Sequence, residues 1–451
     1  MNGYDVDSSV VRDAGSLSRR GFLTAGGAVL GAAALTACGG SSSHGGAKAK
    51  IGPALSASSR ATGSIRILDD NTNKIFAGGV INSFQKQTGI TVAKYVQANF
   101  NDLHDRLATL FGAQDSSYDV VMTWAAWSAE FGRAGWLEPI AKSEVPTDVL
   151  PAALDAVSWA GTVYGLPKFA SAQTMFYNKQ LFHTAGLDPE TPPATWDEFV
   201  TAAQKLTTGG RYGFACDMGN TDGAYQNFLK VLLLNGGTMY DADNKPTFND
   251  EKGVDALTRL VGLLHTQKVM NPSSLSITNS SDLNNLFANG STGIVFNWPA
   301  QWAAATASSA KIGVTNIGNA SLPGIAVKTA SIDGSEGFAI NKFSKNKQAA
   351  LAWLKYVTTG PVQRQMVAQE GWFPVSETLL KDSTIQGKLP PIKSYLEEAQ
   401  YAIKRYGAPW YSDVVQGLAT DITKAMLGKL SPKAALDDAA KRAQPIIAKF
   451  K

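Results

Sequence analysis

Three short apolar runs near the start of the folded part of the chain alternate with amphipathic stretches, and this alternation constrains the fold most. The runs at residues 64–68, 90–96 and 118–122 have the length and β-branched content of buried strands. The stretch after the first run places Val80 and Phe84 on one side of a helix. Alternating strands and helices form a parallel, doubly wound sheet, so the chain is predicted to be an α/β protein.

Polar and aromatic residues follow each of these predicted strands. In doubly wound sheets, ligands bind beyond the carboxyl ends of the strands, so these residues are candidates for a binding site. Carboxylates and amides bond to hydroxyl groups, and indole rings cover apolar C–H faces, so the set predicts a polyhydroxylated ligand. The alternative is that Asp and Asn simply form the turns that end strands. The candidates are Asp69, Asp70, Asn71, Asn99, Phe100, Trp124 and Trp127.

Length, charge and aromatic content narrow the function classes. A chain of 451 residues exceeds one ordinary core, so two lobes are expected. A formal net charge of +4 with 17% charged residues gives no basic patch for nucleic acid or a membrane surface. The chain has 10 tryptophans and 13 tyrosines, many beside Gly, Pro or Asn. Core tryptophans seldom lie in such loops, so some of these rings are candidates for ligand contact.

The first 38 residues have the pattern of a removable export signal. Arg19 and Arg20 precede an uncharged run of about 16 residues, shorter than a comfortable membrane span, and the run ends in Leu-Thr-Ala before Cys38. This resembles a twin-arginine signal joined to a bacterial lipobox, which implies lipidation of Cys38 on the outer face of the cytoplasmic membrane. A plain membrane anchor or a chance Arg pair is the alternative. Residues 39–60, rich in Gly, Ser and Ala, are predicted to form a flexible tether.

Cysteine usage agrees with this interpretation. Only Cys38 and Cys216 are present, so lipidation of Cys38 leaves Cys216 without a partner for an internal disulfide.

Several motifs in order along the chain belong to one known arrangement. The chain resembles the extracellular sugar-binding lipoproteins of ABC importers, the maltose-binding-like group, from about Gly63 to the C-terminus. The spacing of Tyr-Asn-Lys and Thr-Trp-Asp-Glu makes the likeness specific. The motifs are Tyr-Asp-Val-Val-Met at 118–122, Val-Tyr-Gly-Leu-Pro at 163–167, Phe-Tyr-Asn-Lys at 176–179 and Thr-Trp-Asp-Glu at 195–198.

The resemblance implies a two-lobed fold like that of the periplasmic binding proteins. Each lobe is expected to be a mainly parallel sheet flanked by helices, with the ligand cleft between the lobes. Chain crossovers are expected near 169–174, 322–331 and 368–374. These crossovers predict an N-terminal lobe of 61–171 with 329–371 and a C-terminal lobe of 172–328 with 372–451. The partners implied are a carbohydrate and the permease subunits of an importer, with the protein as a monomer.

The resemblance also adds site residues where positions match. It supports Trp124, Trp127 and one of Asp69 and Asp70, without choosing between the two acids. The family's Gly-Pro-Trp loop appears here as Asn-Trp-Pro, a departure that keeps the aromatic ring and leaves the neighbouring contacts open. Phe100, Trp127, Phe169 and Trp372 could equally well only pack a lobe. The added candidates are Phe169, Asn297, Trp298, Glu336, Trp372, Trp410 and Tyr406.

Enzyme function is not expected from the sequence. It has no Gly-x-Ser-x-Gly elbow, His-Glu-x-x-His motif or Walker loop, and its four histidines lack metal-ligand spacing, so neither a metal nor a cofactor is predicted. A surface glycan-active enzyme remains one alternative. A binding protein for polyamines, which needs more acids in the cleft, or for glycerol phosphodiesters, which needs Arg or Lys there, is another. The aromatic supply favours a di- or oligosaccharide over a monosaccharide.

Overall fold

The computed structural model describes residues 52–57, 61–403 and 407–450. The predicted export signal with Cys38, most of the predicted tether, and Tyr406 lie outside the described residues. Within these ranges, no helix has both the length and the hydropathy needed to cross a membrane.

The described residues form strands and helices that alternate through most of the chain. The strands are β1 Ser64–Asp70, β2 Thr91–Ala98, β3 Val120–Trp124, β4 Ser158–Trp159, β5 Thr162–Val163, β6 Gly165–Phe169, β7 Thr174–Asn178, β8 Tyr212–Ala215, β9 Thr292–Asn297, β10 Ile317–Ala320, β11 Ala330–Ser331, β12 Glu336–Ile340 and β13 Ala402–Ile403.

The helices lie between and after these strands. They are α1 Gly79–Thr88, α2 Phe100–Gly112, α3 Ala125–Arg133, α4 Pro151–Asp155, α5 Lys179–Thr184, α6 Trp196–Leu206, α7 Thr221–Leu234, α8 Glu251–His265, α9 Ser280–Ala288, α10 Ala300–Thr306, α11 Lys347–Val357, α12 Gly360–Glu370, α13 Glu377–Lys381, α14 Ser383–Lys388, α15 Pro391–Glu398, α16 Tyr411–Met426 and α17 Pro432–Ala448.

The first sheet has the strand order β2-β1-β3-β12-β6. β1 pairs in parallel with β2 and β3, as the strand–helix alternation predicts. β12 pairs antiparallel with both β3 and β6 because it enters the sheet between two strands that run the other way. The sheet is therefore mixed but mainly parallel, as expected, because β2, β1, β3 and β6 all run in the same direction and only β12 is reversed.

The second sheet has the order β10-β7-β9-β8. β8 and β9 are parallel, and β7 is antiparallel to β9 and β10, so this sheet is mixed as well. The chain leaves the first sheet after β6, builds the second from β7 to β10, and returns to the first at β12. The α/β fold with two sheet-centred lobes is thus confirmed. The exact lobe limits, 61–171 with 329–371 and 172–328 with 372–451, stay a prediction.

Helices pack against each sheet through buried aromatic residues. Phe84 of α1 and Trp353 of α11 meet edge to face beside the first sheet, with ring centroids 5.1 Å apart. Phe199 of α6 is buried where that helix packs on β8 and β9. The predicted capping box that starts α6 is confirmed: the Thr195 hydroxyl accepts from the Glu198 amide, and the Glu198 carboxylate accepts from the Thr195 amide.

Candidate functional site

A cleft of about 340 Å³ lies where the carboxyl ends of β1 and β2 face the starts of α7 and α9. Its walls mix carboxylates, amides and hydroxyls with three aromatic rings. The first-sheet side consists of Asn71, Thr72, Asn99, Phe100, Gly334, Glu336 and Trp372. The second-sheet side consists of Asp217, Asn220, Asp222, Gly223, Gln226, Thr278, Asn279, Ser280, Ser281 and Trp298.

The first wall is built by adjacent strand ends. β1 pairs with β2 so that Asp70 lies opposite Ala98, which brings Asn71 and Asn99 to the same edge of the sheet. Phe100 begins α2 directly after this edge. Asn71, Asn99 and Phe100 therefore line the cleft, because parallel neighbouring strands end together, and their contact with a ligand stays a prediction.

Asp69 and Asp70 do not line the cleft, in contrast to the sequence-based expectation. β1 extends through both residues, so each is fully buried in the sheet. The Lys168 ammonium lies 2.8 Å from Asp69 Oδ1 and 2.7 Å from Asp70 Oδ1. The same ammonium lies 3.0 Å from Oε2 of Glu336, which does line the cleft. The two aspartates are therefore connected to the cleft lining through Lys168 and do not line the cleft themselves.

Burial and unequal pairing divide the protons among these acids. Burial raises the pKa of Glu336 to about 8, with the Asp70 charge adding to the shift and Lys168 opposing it. Burial likewise raises the pKa of Asp69 to about 7 against the attraction of Lys168. For Asp70, burial is outweighed by Lys168 and by the hydrogen bond from Thr72, so its pKa is lowered. One ammonium cannot balance three buried carboxylates, and the cluster retains protons near neutral pH.

The second wall is built by the loop after β8 and by two helix starts. Asp217 follows β8 and is nine-tenths buried. Asn220 caps α7 by accepting from the Gly223 amide at 2.6 Å, and Asn279 caps α9 in the same way. These caps fix the backbone of both starts and hold their polar residues at the cleft.

Asp222 is the best-anchored carboxylate of this wall. Its Oδ1 accepts from the Tyr411 hydroxyl at 3.0 Å, and its Oδ2 accepts from the Gln226 amide nitrogen. Both donors are neutral, so the charge of Asp222 is oriented without being cancelled by them. A carboxylate held in this way can accept two hydroxyl protons from a ligand.

The tryptophans at the end of β3 and in the first turn of α3 pack behind the lining of the cleft. Trp124 is the last residue of β3, is 1% exposed, and meets Tyr411 edge to face with centroids 5.0 Å apart. Trp127 is also buried and stacks on Phe100 at 5.2 Å. Neither Trp lines the cleft, in contrast to the expectation, because α3 starts directly after Trp124 and turns both rings into the core. Phe100 is the ring of this group that reaches the cleft.

Two other indoles reach the cleft from opposite walls. Trp372 stacks on the buried Phe169, with centroids 4.4 Å apart and ring planes 14° apart. Trp298 packs so closely on Gly334 that a Cβ there would lie 2.2 Å from the ring. Asn297 accepts from the Trp298 amide and is otherwise bonded within its own lobe, so it positions Trp298 and does not line the cleft. Phe169 supports Trp372 in a similar way.

Trp410 lies away from the cleft, in contrast to the expectation. It is 8% exposed and packs edge-on against Tyr240 and Phe450 at 6.1 Å. The start of α16 turns this ring into the core between α16 and α17. An aromatic residue beside Pro therefore need not face a ligand. Its proposed companion Tyr406 lies outside the described residues.

Sequence reasoning missed most of the second wall. Asp217 follows β8 as Asn71 follows β1, so the strand-end rule already applied to the first lobe would have found it. The Asn-x-x-Gly and Asn-x-x-Asp cap patterns at Asn220 and Asn279 were a second available signal. Gln226, one turn into α7, carries no such signal.

The described residues contain no group of three or more His, Cys, Asp or Glu side chains placed to hold a metal ion. In the acidic cluster of the first wall, the Lys168 ammonium lies among the carboxylates.

Comparison with known proteins gives a consistent family. The sequence profile described as "Bacterial extracellular solute-binding protein" matches residues 68–364. A probable ABC transporter-binding protein of Deinococcus radiodurans is 28% identical over 371 residues, covering 78% of this chain and 86% of that protein. A mannitol-binding protein of Pseudomonas aeruginosa is 30% identical over 289 residues, covering 62% of this chain and 64% of that protein.

The same likeness holds for a solved structure. Maltose-bound MalE3 of T. maritima superposes with a TM-score of 0.79 at 26% identity, covering 85% of this chain and all of that one.

Proposed function

The chain belongs to the bacterial extracellular solute-binding proteins, and on that premise we propose that it captures a di- or oligosaccharide for an ABC importer. Proteins of this family bind a solute and work with the permease of a transporter. The cleft is the proposed sugar site. The residues proposed to contact the sugar include six from the sequence-based set: Asn71, Asn99, Phe100, Trp298, Glu336 and Trp372. The structure adds four more candidates: Asp217, Asn220, Asp222 and Gln226.

One observation carries this proposal: aromatic rings and oriented polar groups line the same cleft from both sheets. A sugar presents apolar C–H faces and hydroxyl edges. Trp298 and Trp372 offer planes for the faces, and Asp222 offers paired acceptors for vicinal hydroxyls.

Capture then follows from the two-walled geometry. A ligand favours a closed arrangement only to the extent that it binds that arrangement better than an open one. Contacts to both walls provide this difference, since an open cleft separates them. The closed form is the species that the permease is proposed to recognise.

The relatives add support for a carbohydrate. Mannitol and maltose are named for the Pseudomonas and T. maritima proteins described above. A polyol and a disaccharide share vicinal hydroxyl groups, which suits the carboxylates and amides of this cleft.

The alternatives fit the cleft less well. Glycerol phosphodiesters call for cationic partners, and within the described ranges no Lys or Arg lines the cleft. Polyamines match the acids Asp217 and Asp222 and the faces of the three aromatic rings, but they offer no acceptors for the amide and hydroxyl donors of the lining. A glycan-active enzyme needs a pair of carboxylates flanking a bond, whereas the family is one of substrate-binding transport proteins.

Cys38 is proposed to anchor the mature monomer to the outer face of the cytoplasmic membrane, with residues 39–60 as the tether. Replacing Cys38 by Ser should release the protein from membranes into the soluble fraction. Retention of that variant in the membrane fraction would argue for another kind of anchor.

A thermal-shift panel tests the proposed ligand class, because a ligand that binds the native state raises the melting temperature. Maltose, maltotriose and mannitol should include a sugar that raises it. Putrescine, glycerophosphocholine and amino acids should not. The carbohydrate proposal would be refuted if putrescine, glycerophosphocholine or an amino acid raised the melting temperature and no sugar did.

A further inference from the structure

Three carboxylates share one ammonium at the floor of the first wall. Lys168 Nζ lies within 3.0 Å of oxygens of Asp69, Asp70 and Glu336. Lys168 and the two aspartates are fully buried, and Glu336 is 7% exposed. Full ionisation would leave a net charge of −2 on buried side chains, which favours protonation of part of the cluster.

The groups beside this cluster in the described part of the chain, Tyr95 and Glu370, add no positive charge. Tyr95 on β2 donates its hydroxyl to Asp69 Oδ2 at 2.6 Å, and the acidic Glu370 of α12 lies near Tyr95. Across the cleft, Asp217 and Asp222 are acidic. Lys230 is buried among Asp217 and Gln173 on the far side.

Glu336 is the member of the cluster that can donate a hydrogen bond to a ligand in the cleft. Its Oε2 is buried and lies 3.0 Å from the Lys168 ammonium, and Glu336 lines the cleft, so Oε1 is the oxygen left for a ligand. Asp69 is closed off, because one of its oxygens accepts from Lys168 and the other from Tyr95.

We propose that Glu336 binds the ligand as a neutral carboxylic acid that donates a hydrogen bond to an acceptor oxygen, so that affinity falls when Glu336 loses its proton. This inference rests on the proposed function and specifies the ligand chemistry at one position. A hydroxyl, ring or glycosidic oxygen can accept this hydrogen bond, whereas an ammonium group cannot. Burial, which raises the pKa of Glu336 to about 8, keeps the donor form populated at neutral pH.

The sign of the effect is fixed by this arrangement. Below pH 8 the acid is protonated and donates. Above that pH the carboxylate repels an acceptor oxygen, and affinity should drop by up to about tenfold per pH unit. A carboxylate that instead accepted a ligand hydroxyl would bind more tightly as the pH rose, which is the opposite trend.

Calorimetric titration of the purified protein from pH 6 to pH 9.5 tests the proposal. The probe is maltose, or the sugar that gives the larger thermal shift. The wild-type affinity should be constant to about pH 7.5 and then fall at least tenfold. Glu336→Gln, whose amide donates at every pH, should bind with a flat profile, and Glu138→Gln, remote from the cleft, should keep the wild-type profile. A flat wild-type profile, or a fall that persists in Glu336→Gln, would overturn the inference.

A ligand-free measurement separates this inference from the proposed function. Carboxyl ¹³C NMR of the wild type, assigned with Glu336→Gln, follows the titration of Glu336 directly. A transition near pH 8 supports the neutral acid even if no sugar binds, in which case only the proposed function fails. A transition near the usual pH 4.5 overturns the inference whatever the ligand.

Discussion

The indole of Trp372 lies parallel to the ring of Phe169, with centroids 4.4 Å apart and planes 14° apart. Phe169 is the last residue of β6, at the edge of the first sheet, and is fully buried. Trp372 follows α12 and reaches the cleft. The stack therefore fixes one aromatic wall of the cleft to the sheet before any ligand arrives, which reduces the entropy lost on binding.

Removing this wall should weaken sugar binding. Trp372→Ala takes away an aromatic surface whose burial contributes about 1.5–3 kcal/mol, so affinity measured by calorimetry should fall about tenfold or more. Trp410→Ala is the control: it should lower stability and leave affinity within about twofold, because Trp410 lies outside the cleft. Equal losses in the two variants would show that the ring at 372 is only structural.

Removing the shared ammonium should destabilise the fold. Lys168→Met leaves Asp69, Asp70 and Glu336 buried without a cation, and breaking a buried pair from one side costs about 3–5 kcal/mol. Urea denaturation should show this loss in the free energy of unfolding. The triple variant with Asp69→Asn and Asp70→Asn should recover part of it. Wild-type stability in Lys168→Met would contradict the charge balance described above.

Removing the carboxylate of the second wall should cost affinity more than stability. Asp222→Ala deletes charge-assisted hydrogen bonds to ligand hydroxyls, each contributing about 1.5–3 kcal/mol, so the dissociation constant should rise by about tenfold to a hundredfold. Asp243→Ala, in an exposed turn, is the matched control and should bind normally. An unchanged dissociation constant in Asp222→Ala would remove Asp222 from the site.

A half-buried histidine of α2, which contacts α3 and α16, should add a pH dependence to stability. His104 Nε2 lies 3.0 Å from Glu130, and Ser412 of α16 donates to the same carboxylate at 2.8 Å. Burial disfavours the imidazolium, but Glu130 and Asp105 outweigh it and raise the pKa of His104 to about 9.

Because the folded-state pKa is raised above about 6.5, the stabilisation is complete below that pH and is lost as pH rises through about 9. The difference in melting temperature between wild type and His104→Gln should therefore be largest near pH 6 and smallest above pH 9. A difference independent of pH would mean that the imidazole is neutral throughout.

The sequence predicted the fold class and the position of the first wall. It did not predict which side chains of that wall face the cleft. β1, β2 and β3 follow from apolar runs and strand-end residues, which are local signals. The burial of Asp69 and Asp70 could not be predicted, because their partner Lys168 lies about 100 residues away and only the sheet order brings it beneath them. Trp298, which was predicted from the resemblance to a family loop and from its Asn-Trp-Pro context, lies in the cleft lining. Trp410 was misplaced because its packing partner Tyr240 lies far away in the sequence and only the fold brings the two rings together.

A crystal structure of the protein with the sugar selected by the thermal-shift panel tests the central claim most directly. The sugar should lie in the 340 Å³ cleft, with its C–H faces against Trp298 and Trp372 and its hydroxyls on Asp222 and Glu336. Contacts should come from both walls. A sugar bound to one wall alone, or at a site that none of these four residues touches, would contradict the account.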